Sequence, residues 1–330
     1  LLEKEKTIET KLVVYENEAV KKFTFGSKTL VENVASKLET GCKNGMKAAS
    51  ILSKQIKRKP KSPFRTSVLL QQASAKFGFA PKETMRCAQS LFAGKDGGDG
   101  LITYIRTDSI EIDAAKLPLI QEKIVALYGE EFLERRKFKN KKKAINIQEA
   151  HGAITPTDIN ILPDSLKTKL NDNEHKLYSL IWERTIASQM KDAVFERTTI
   201  EFVPNNEPEL ALFSFSDQEL LFPGYLKATN EEVRNKKPPD IKEGDVVDFL
   251  NLTKEQHFTD PPPRYNDASM IKTLEEKGIG RPSTYAGILS RLAEREYIIL
   301  KQKRYAPSDM GRLVSNFLNS SFANYINDEF

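Results

Sequence analysis

Tyr104 and Arg106 stand two residues apart in Gly100-Leu-Ile-Thr-Tyr-Ile-Arg-Thr-Asp-Ser109, and that pairing has the makings of covalent chemistry. Ile102, Tyr104 and Arg106 alternate with Leu101, Thr103 and Ile105. On a strand, residues i and i+2 point to one face, so the spacing predicts that Tyr104 and Arg106 project together. A tyrosine hydroxyl ionises only near pH ~10 and is a weak nucleophile at neutral pH. A guanidinium beside it favours the phenolate and also clamps phosphate. Arg106-Thr107-Asp108-Ser109 reads as a polar, hydrogen-bonding exit from that strand.

Two further stretches carry chemical side chains. Gln148-Glu-Ala-His-Gly-Ala-Ile-Thr-Pro-Thr157 holds His151, one of only three histidines. Taken alone, a single histidine is more often a satisfied structural residue than a working one. Gly278-Ile-Gly-Arg-Pro-Ser-Thr-Tyr-Ala286 reads as a loose turn entering a helix. A helix N-terminus offers free N–H groups and a positive dipole end, which suits phosphate. Arg281 adds charge, Ser283 and Thr284 add hydroxyls, and Tyr285 adds a ring on which an unpaired base would stack.

These strings resemble the type IA DNA topoisomerases. GLITYIRTDS resembles that family's active-site signature, and QEAHGAITPT resembles its Glu-Ala-His-Glu-Ala-Ile-Arg-Pro segment. GIGRPSTYA has the form found in the bacterial topoisomerase I branch. Pro63-Phe-Arg-Thr-Ser-Val-Leu-Leu-Gln-Gln-Ala-Ser74 and Pro262-Pro-Arg-Tyr-Asn-Asp-Ala-Ser269 also look like family segments, which makes five ordered blocks. The resemblance implies that Tyr104 attacks a DNA phosphodiester, that Arg106 stabilises the developing charge, and that His151 positions the phosphate. Thr103, Thr107 and Asp108 are expected to contact DNA, as are Arg281, Ser283, Thr284 and Tyr285. Two positions depart from the family pattern: Gly152 replaces a Glu, and Thr155 replaces an Arg. The lost arginine removes one cation from the expected DNA path.

The same resemblance implies ATP-independent relaxation of negatively supercoiled DNA. One strand is cut through a 5′-phosphotyrosyl link, another passes, and the break is resealed. It implies a monomer acting on single-stranded or negatively supercoiled DNA, cytoplasmic in a bacterium or housed in an organelle. It implies Mg²⁺ held by the carboxylates of a Toprim domain. No strand-borne acidic set of that kind is found here: Asp96 and Asp99 lie in a Gly-rich loop, and Asp172 and Glu174 stand apart. Residues 1–330 are therefore expected to bind single strands weakly and to relax nothing alone. A non-catalytic single-stranded DNA-binding module is the alternative. A tyrosine recombinase would need an Arg-His-x-x-Arg set and a C-terminal Tyr, which are not found.

Bulk properties are compatible with this. Hydrophobic residues make up 39%, charged residues 29%, and the net charge is +5. No run of ~18 apolar residues suggests a membrane span. Cys42 and Cys87 match no zinc spacing.

The elements that must position these residues read as an α+β, multidomain chain: winged-helix-like helical domains plus a β-rich connecting domain, within what the resemblance implies is a toroidal molecule. Residues 1–60 and 191–257 are expected to form the β-rich hinge domain in two segments. Residues 61–190 form an inserted helical domain with the tyrosine, and 258–330 begin a further winged-helix-like DNA-binding domain. Strands are expected near 11–16, 20–25, 195–203, 211–215 and 245–252. Helices are expected over 30–38, on both sides of Gly78-Phe-Ala-Pro81, and over 112–127, 173–190, 267–277, 283–294 and 309–318. Lys54–Lys61 reads as a basic linker, and Arg135–Lys143 as a basic loop that could track phosphates.

Overall fold

The structure, a computed structural model, describes residues 7–94, 98–140, 151–229 and 231–326. It divides into two compact units. The described part of Leu1–Lys59 forms the first together with Asp192–Gly224 and Glu231–Thr259. The described parts of Pro60–Lys191, Tyr225–Asn230 and Asp260–Phe330 form the second.

The first unit is a six-stranded antiparallel sheet with one helix. Its strands are β1 (Lys11–Tyr15), β2 (Glu18–Ala19), β3 (Met46–Arg58), β4 (Ala193–Pro204), β5 (Ala211–Phe222) and β6 (Val246–Val247), in the order β2-β1-β5-β4-β3-β6. Helix α1 (Lys28–Gly41) starts at Ser27, whose side chain accepts from the Leu30 N–H. Val34 and Leu38, four apart on α1, meet Met46, Ala48, Ile200, Phe202, Ala211 and Phe213. The sheet residues in that set are spaced by two, which is what one face of a pleated strand supplies. Cys42 is buried in the same core, and burial pushes its thiol up to about 11.

The second unit is mainly helical. Its helices are α2 (Thr66–Phe77), α3 (Pro81–Ala93), α4 (Leu117–Tyr128), α5 (Asp172–Ser188), α6 (Asp267–Glu276), α7 (Tyr285–Glu294) and α8 (Asp309–Ser321). A short hairpin, β7 (Ile298–Lys301) with β8 (Arg304–Pro307), lies between the last two. Pro81 occupies the first turn of α3, where its missing N–H costs nothing. A capping box between Asn171 and Glu174 starts α5. From α5, Trp182 Nε1 donates to the Ile159 carbonyl (3.0 Å) and the Tyr178 hydroxyl to that of Ile161 (2.7 Å), which pins the chain after Thr157. Leu70 of α2, Ile271 of α6, and Tyr285 and Leu289 of α7 share one buried cluster.

Several expectations are corrected. Lys54–Arg58 is not linker but the end of β3, paired with β4 through Lys54↔Arg197, Gln55↔Glu196 and Ile56↔Phe195. A backbone ladder tolerates exposed cations, and Arg58 lays its guanidinium over the Phe195 ring at 4.4 Å. Residues 20–25 form turns and coil rather than a strand, and strand structure near 245–252 is confined to β6. Residues 260–326, read as belonging to a domain of their own, fall in the same unit as the helical insert, joined to α2 through α6. The Gly-rich loop residues 95–97 and the basic and motif residues 141–150 lie outside the described residues.

Candidate active site

The segment bearing Tyr104 is not a strand. Residues 101–110 have no regular secondary structure, with bends at Leu101 and at Ile105–Arg106, and one isolated bridge, Ile102↔Pro156, is their share of β-structure. What holds them is a set of hydrogen bonds to chain that is remote in sequence. Leu101 N–H donates to the Leu91 carbonyl (2.7 Å), tying the segment to the end of α3. Gly100 is required at that junction, because a Cβ there would lie 2.1 Å from the Phe92 carbonyl oxygen.

Hydroxyls then take the place of a ladder. Thr103 Oγ1 donates to the Ala153 carbonyl (2.9 Å) and accepts from the Thr155 N–H (2.9 Å), while Thr103 N–H donates to the Thr155 carbonyl (2.9 Å). Thr107 Oγ1 donates to the His151 carbonyl (3.2 Å) and accepts from the Ser109 N–H (3.0 Å). Thr66 Oγ1 donates to the carbonyls of Ile105 (2.7 Å) and Thr107 (3.0 Å) and accepts from the Thr107 N–H (2.9 Å). Asn140, at the end of the described basic stretch, accepts from Ile110 N–H (3.1 Å) and donates to Ser109 Oγ (3.3 Å). Buried polar groups must be satisfied, so these pairings fix the register of the segment as firmly as strand neighbours would.

The bend changes which residues face out. Ile102 and Ile105 are both buried, Tyr104 is half-buried and Arg106 is exposed. Tyr104 packs against the Phe92 ring edge-on, with centroids 5.6 Å apart, and against the His151 ring at 4.4 Å. Its hydroxyl has no hydrogen-bond partner among the described residues, and the Arg106 guanidinium has no ion pair or hydrogen bond among them. The structure therefore brings Tyr104 and His151 together. It does not pair Arg106 with Tyr104 as alternation on a strand would.

The turn before α7 lies in the same unit. Gly280 has φ +82°, and a Cβ on it would press on Ile288, Thr284 and Tyr285 at 3.0–3.3 Å. Thr284 Oγ1 accepts from the Arg281 N–H (2.8 Å), and the exposed Arg281 donates to the Gly280 carbonyl (2.7 Å). Ser283 and Thr284 are exposed. Tyr285 is 4% exposed, with its ring in the core with Leu70, Ile271 and Leu289. The expected stacking role for Tyr285 does not fit this burial. Thr103 and Thr107 likewise spend their hydroxyls inside the protein, so they position the segment rather than present donors to DNA.

Electrostatics join the two motifs. Asp108 is pushed above the ordinary carboxylate value, chiefly by burial and then by the Glu275 charge, with Arg65 and Arg281 pulling the other way. The same three groups and Asp108 itself act on Tyr285, whose hydroxyl is pushed up to about 12, first by burial and then by Glu275 and Asp108. Glu275 itself pairs with Arg65 (2.9 Å) and accepts from Ser67 (2.5 Å). Glu275 and Asn140 carry no signal in the sequence, and Thr66, although it lies inside the Pro63–Ser74 block, carries none for this contact. The Thr66 hydroxyl meets carbonyls 39 and 41 residues away, and no local pattern reports such a contact.

The two departures also find a setting. A Cβ at Gly152 would stand 3.0 Å from the Glu111 carbonyl oxygen, so this backbone leaves little space for a side chain. Thr155 is 3% exposed. No group of three or more His, Cys, Asp or Glu among the described residues is arranged to hold a metal ion, so the Mg²⁺ expected from the resemblance has no ligand set among them. Among the described residues no helix is long and apolar enough to cross a membrane.

Comparison with known proteins gives a consistent result. A family profile described as DNA topoisomerase matches residues 2–330. DNA topoisomerase 1 of Rickettsia felis is 40% identical over 329 residues, covering 97% of this chain and 42% of the relative. DNA topoisomerase 1 of Xylella fastidiosa is 36% identical over 333 residues, covering 97% and 40%. The structure of full-length topoisomerase I from Thermotoga maritima superposes with a TM-score of 0.81 at 30% identity, covering 94% of this chain and 50% of that one. The chain thus spans less than half the length of these curated relatives.

Proposed function

This chain belongs to the bacterial DNA topoisomerase family, and from that premise we propose that it carries the nucleophile of a type IA strand-cleaving site. The observation behind this reading is the Tyr104 hydroxyl: unpartnered among the described residues, with its ring against His151, on a segment held by Leu91, Thr66, Asn140 and residues 151–155. A nucleophile needs a free oxygen and a fixed approach.

In the proposed reaction Tyr104 Oη attacks the phosphorus of a single-stranded DNA phosphodiester. A bond forms between Oη and phosphorus, the bond from phosphorus to the 3′-oxygen breaks, and the hydroxyl proton leaves for solvent or the departing oxygen. The products are a 5′-phosphotyrosyl link and a free 3′-hydroxyl, and the reverse attack reseals the strand. One phosphoester replaces another, so no nucleotide hydrolysis is needed. Arg106, exposed two residues on, neutralises charge on the phosphate as it develops. His151 orients the phosphate beside the tyrosine ring. Arg281, Ser283 and Thr284 hold the phosphate backbone of the strand at the turn before α7. Asp108, half-buried, lies in the field of Glu275, Arg65 and Arg281. Relaxation of negatively supercoiled DNA by the full-length polypeptide, with Mg²⁺ and as a monomer, belongs to this proposal.

The test is covalent capture. The full-length protein is incubated with a labelled single-stranded oligonucleotide and quenched with denaturant. Tyr104→Phe is expected to abolish the protein–DNA adduct while single-strand affinity stays within a few-fold, because the ring contacts with Phe92 and His151 remain. An adduct that survives the substitution rules Tyr104 out as the nucleophile. Strong single-strand binding with no adduct from the parent protein either would favour the binding-module reading.

A further inference from the structure

We propose that Thr66 is a positioning residue for the nucleophile, and that Glu275 locks it in place. The inference rests on the reading of Tyr104 given above. Thr66 is 0% exposed at the start of α2, and it touches the segment on both sides of Arg106. Its hydroxyl donates to the carbonyls of Ile105 and Thr107 and accepts from the Thr107 N–H, and its own N–H donates to the Thr107 carbonyl (3.0 Å). Two carbonyls and an amide converge on one oxygen at the bend. That bend sets the direction in which Tyr104 leaves and Arg106 emerges.

Thr66 is itself held from outside the segment. Its two neighbours, Arg65 and Ser67, both engage Glu275 Oε1, and Arg65 Nε also donates to Ser67 Oγ (3.2 Å). Glu275 is near the end of α6, and its chain continues directly into Gly278–Thr284. One carboxylate therefore ties the turn proposed to grip phosphate to the residue that shapes the nucleophile's bend. A shift of the 278–284 turn on binding DNA would pass through Glu275 to Arg65 and Ser67, and so to Thr66.

The experiment is single-turnover cleavage of a labelled oligonucleotide by the full-length protein, with affinity measured in parallel. Thr66→Val keeps the side-chain volume and removes the hydroxyl. It is expected to slow cleavage by about 10²-fold, the penalty for a displaced reacting group. Affinity should stay within about two-fold, the signature of an effect on kcat rather than KM. Thr66→Ser is expected to restore most of the rate. In the 330-residue chain, hydrogen exchange at the Thr107 amide should speed up in Thr66→Val. A folded Thr66→Val that cleaves at the parental rate, or a loss that Thr66→Ser shares in full, overturns the role. If Thr66→Val fails to fold, Glu275→Ala carries the test: slower cleavage with retained affinity supports the lock, and a parental rate overturns it. Tyr104→Phe is run alongside. An adduct surviving that change would overturn the nucleophile reading and this proposal together, whereas normal cleavage by Thr66→Val with inactive Tyr104→Phe overturns only the positioning role.

Discussion

The imidazole of His151 lies against the ring of Tyr104, with centroids 4.4 Å apart and planes tilted by 42°. His151 arrives from a segment whose backbone is stitched to the tyrosine segment through Thr103 and Thr107. The two rings are thus held by backbone, and their closeness does not depend on a bond between the side chains. His151→Ala is expected to leave the fold intact and to slow adduct formation by about 10²-fold, the size of effect seen when one preorganised polar group is lost. Rapid-quench cleavage assays read this out. A parental rate would reduce His151 to a packing neighbour.

Arg106 is exposed and makes no ion pair or hydrogen bond among the described residues. Its removal should therefore cost the free protein little, within about 0.5 kcal/mol as for other surface changes. Cleavage should nevertheless slow by about 10²-fold in Arg106→Ala, with partial recovery in Arg106→Lys, because an ammonium cannot make a bidentate phosphate contact. Thermal melts and adduct kinetics on the same samples separate the two effects. A large drop in Tm would show that Arg106 is a structural residue.

Much of the helical framework was legible in the sequence, and the tyrosine segment was legible in content but not in form. Gly78-Phe-Ala-Pro81 marks the break between α2 and α3 because glycine and proline act locally. The alternation Ile102, Tyr104, Arg106 reads as a strand for the same local reason. What overrides it is non-local: the hydroxyls of Thr66, Thr103 and Thr107 satisfy backbone groups that a neighbouring strand would otherwise have to meet. A threonine in sequence gives no hint that its hydroxyl will serve a carbonyl some forty residues away. Tyr285 shows the converse. Its motif reads as a phosphate-binding turn with a free ring, but α7 begins at Tyr285 itself, and the ring turns into the core.

Asp108 supplies a pH-dependent prediction. Burial, then Glu275, raises its pKa in the folded protein above the unfolded value. The stability tied to its neutral form is complete below the unfolded pKa and is lost as pH rises through the folded one. Asp108→Asn is neutral throughout and escapes that loss. The Tm of Asp108→Asn relative to the parent should therefore rise between about pH 3 and pH 7, spanning the carboxylate range. A pH-independent difference in Tm would mean that the Asp108 carboxyl feels no net burial cost.

Thr155 is where the family pattern and this structure disagree most directly. An arginine is expected at that position from the resemblance, and adding one looks like a way to gain a cation on the DNA path. Thr155, however, is 3% exposed, its N–H and carbonyl are both bonded to Thr103, and the bridge between Phe64 and Ile154 lies next to it. A guanidinium needs water or paired acceptors, and the walls here are backbone already in use. Thr155→Arg should consequently destabilise the chain by about 1–3 kcal/mol, the usual cost of overfilling a packed site. Since Thr103 precedes Tyr104, the strain should also disturb the nucleophile and slow cleavage. The slope of log affinity against log salt should stay unchanged, because no new phosphate is neutralised. Denaturant melts and binding of a single-stranded oligonucleotide across a salt series test this together. A stable variant with a steeper salt slope would show that the arginine reaches the strand after all, and that the enclosure around Thr155 opens at little cost.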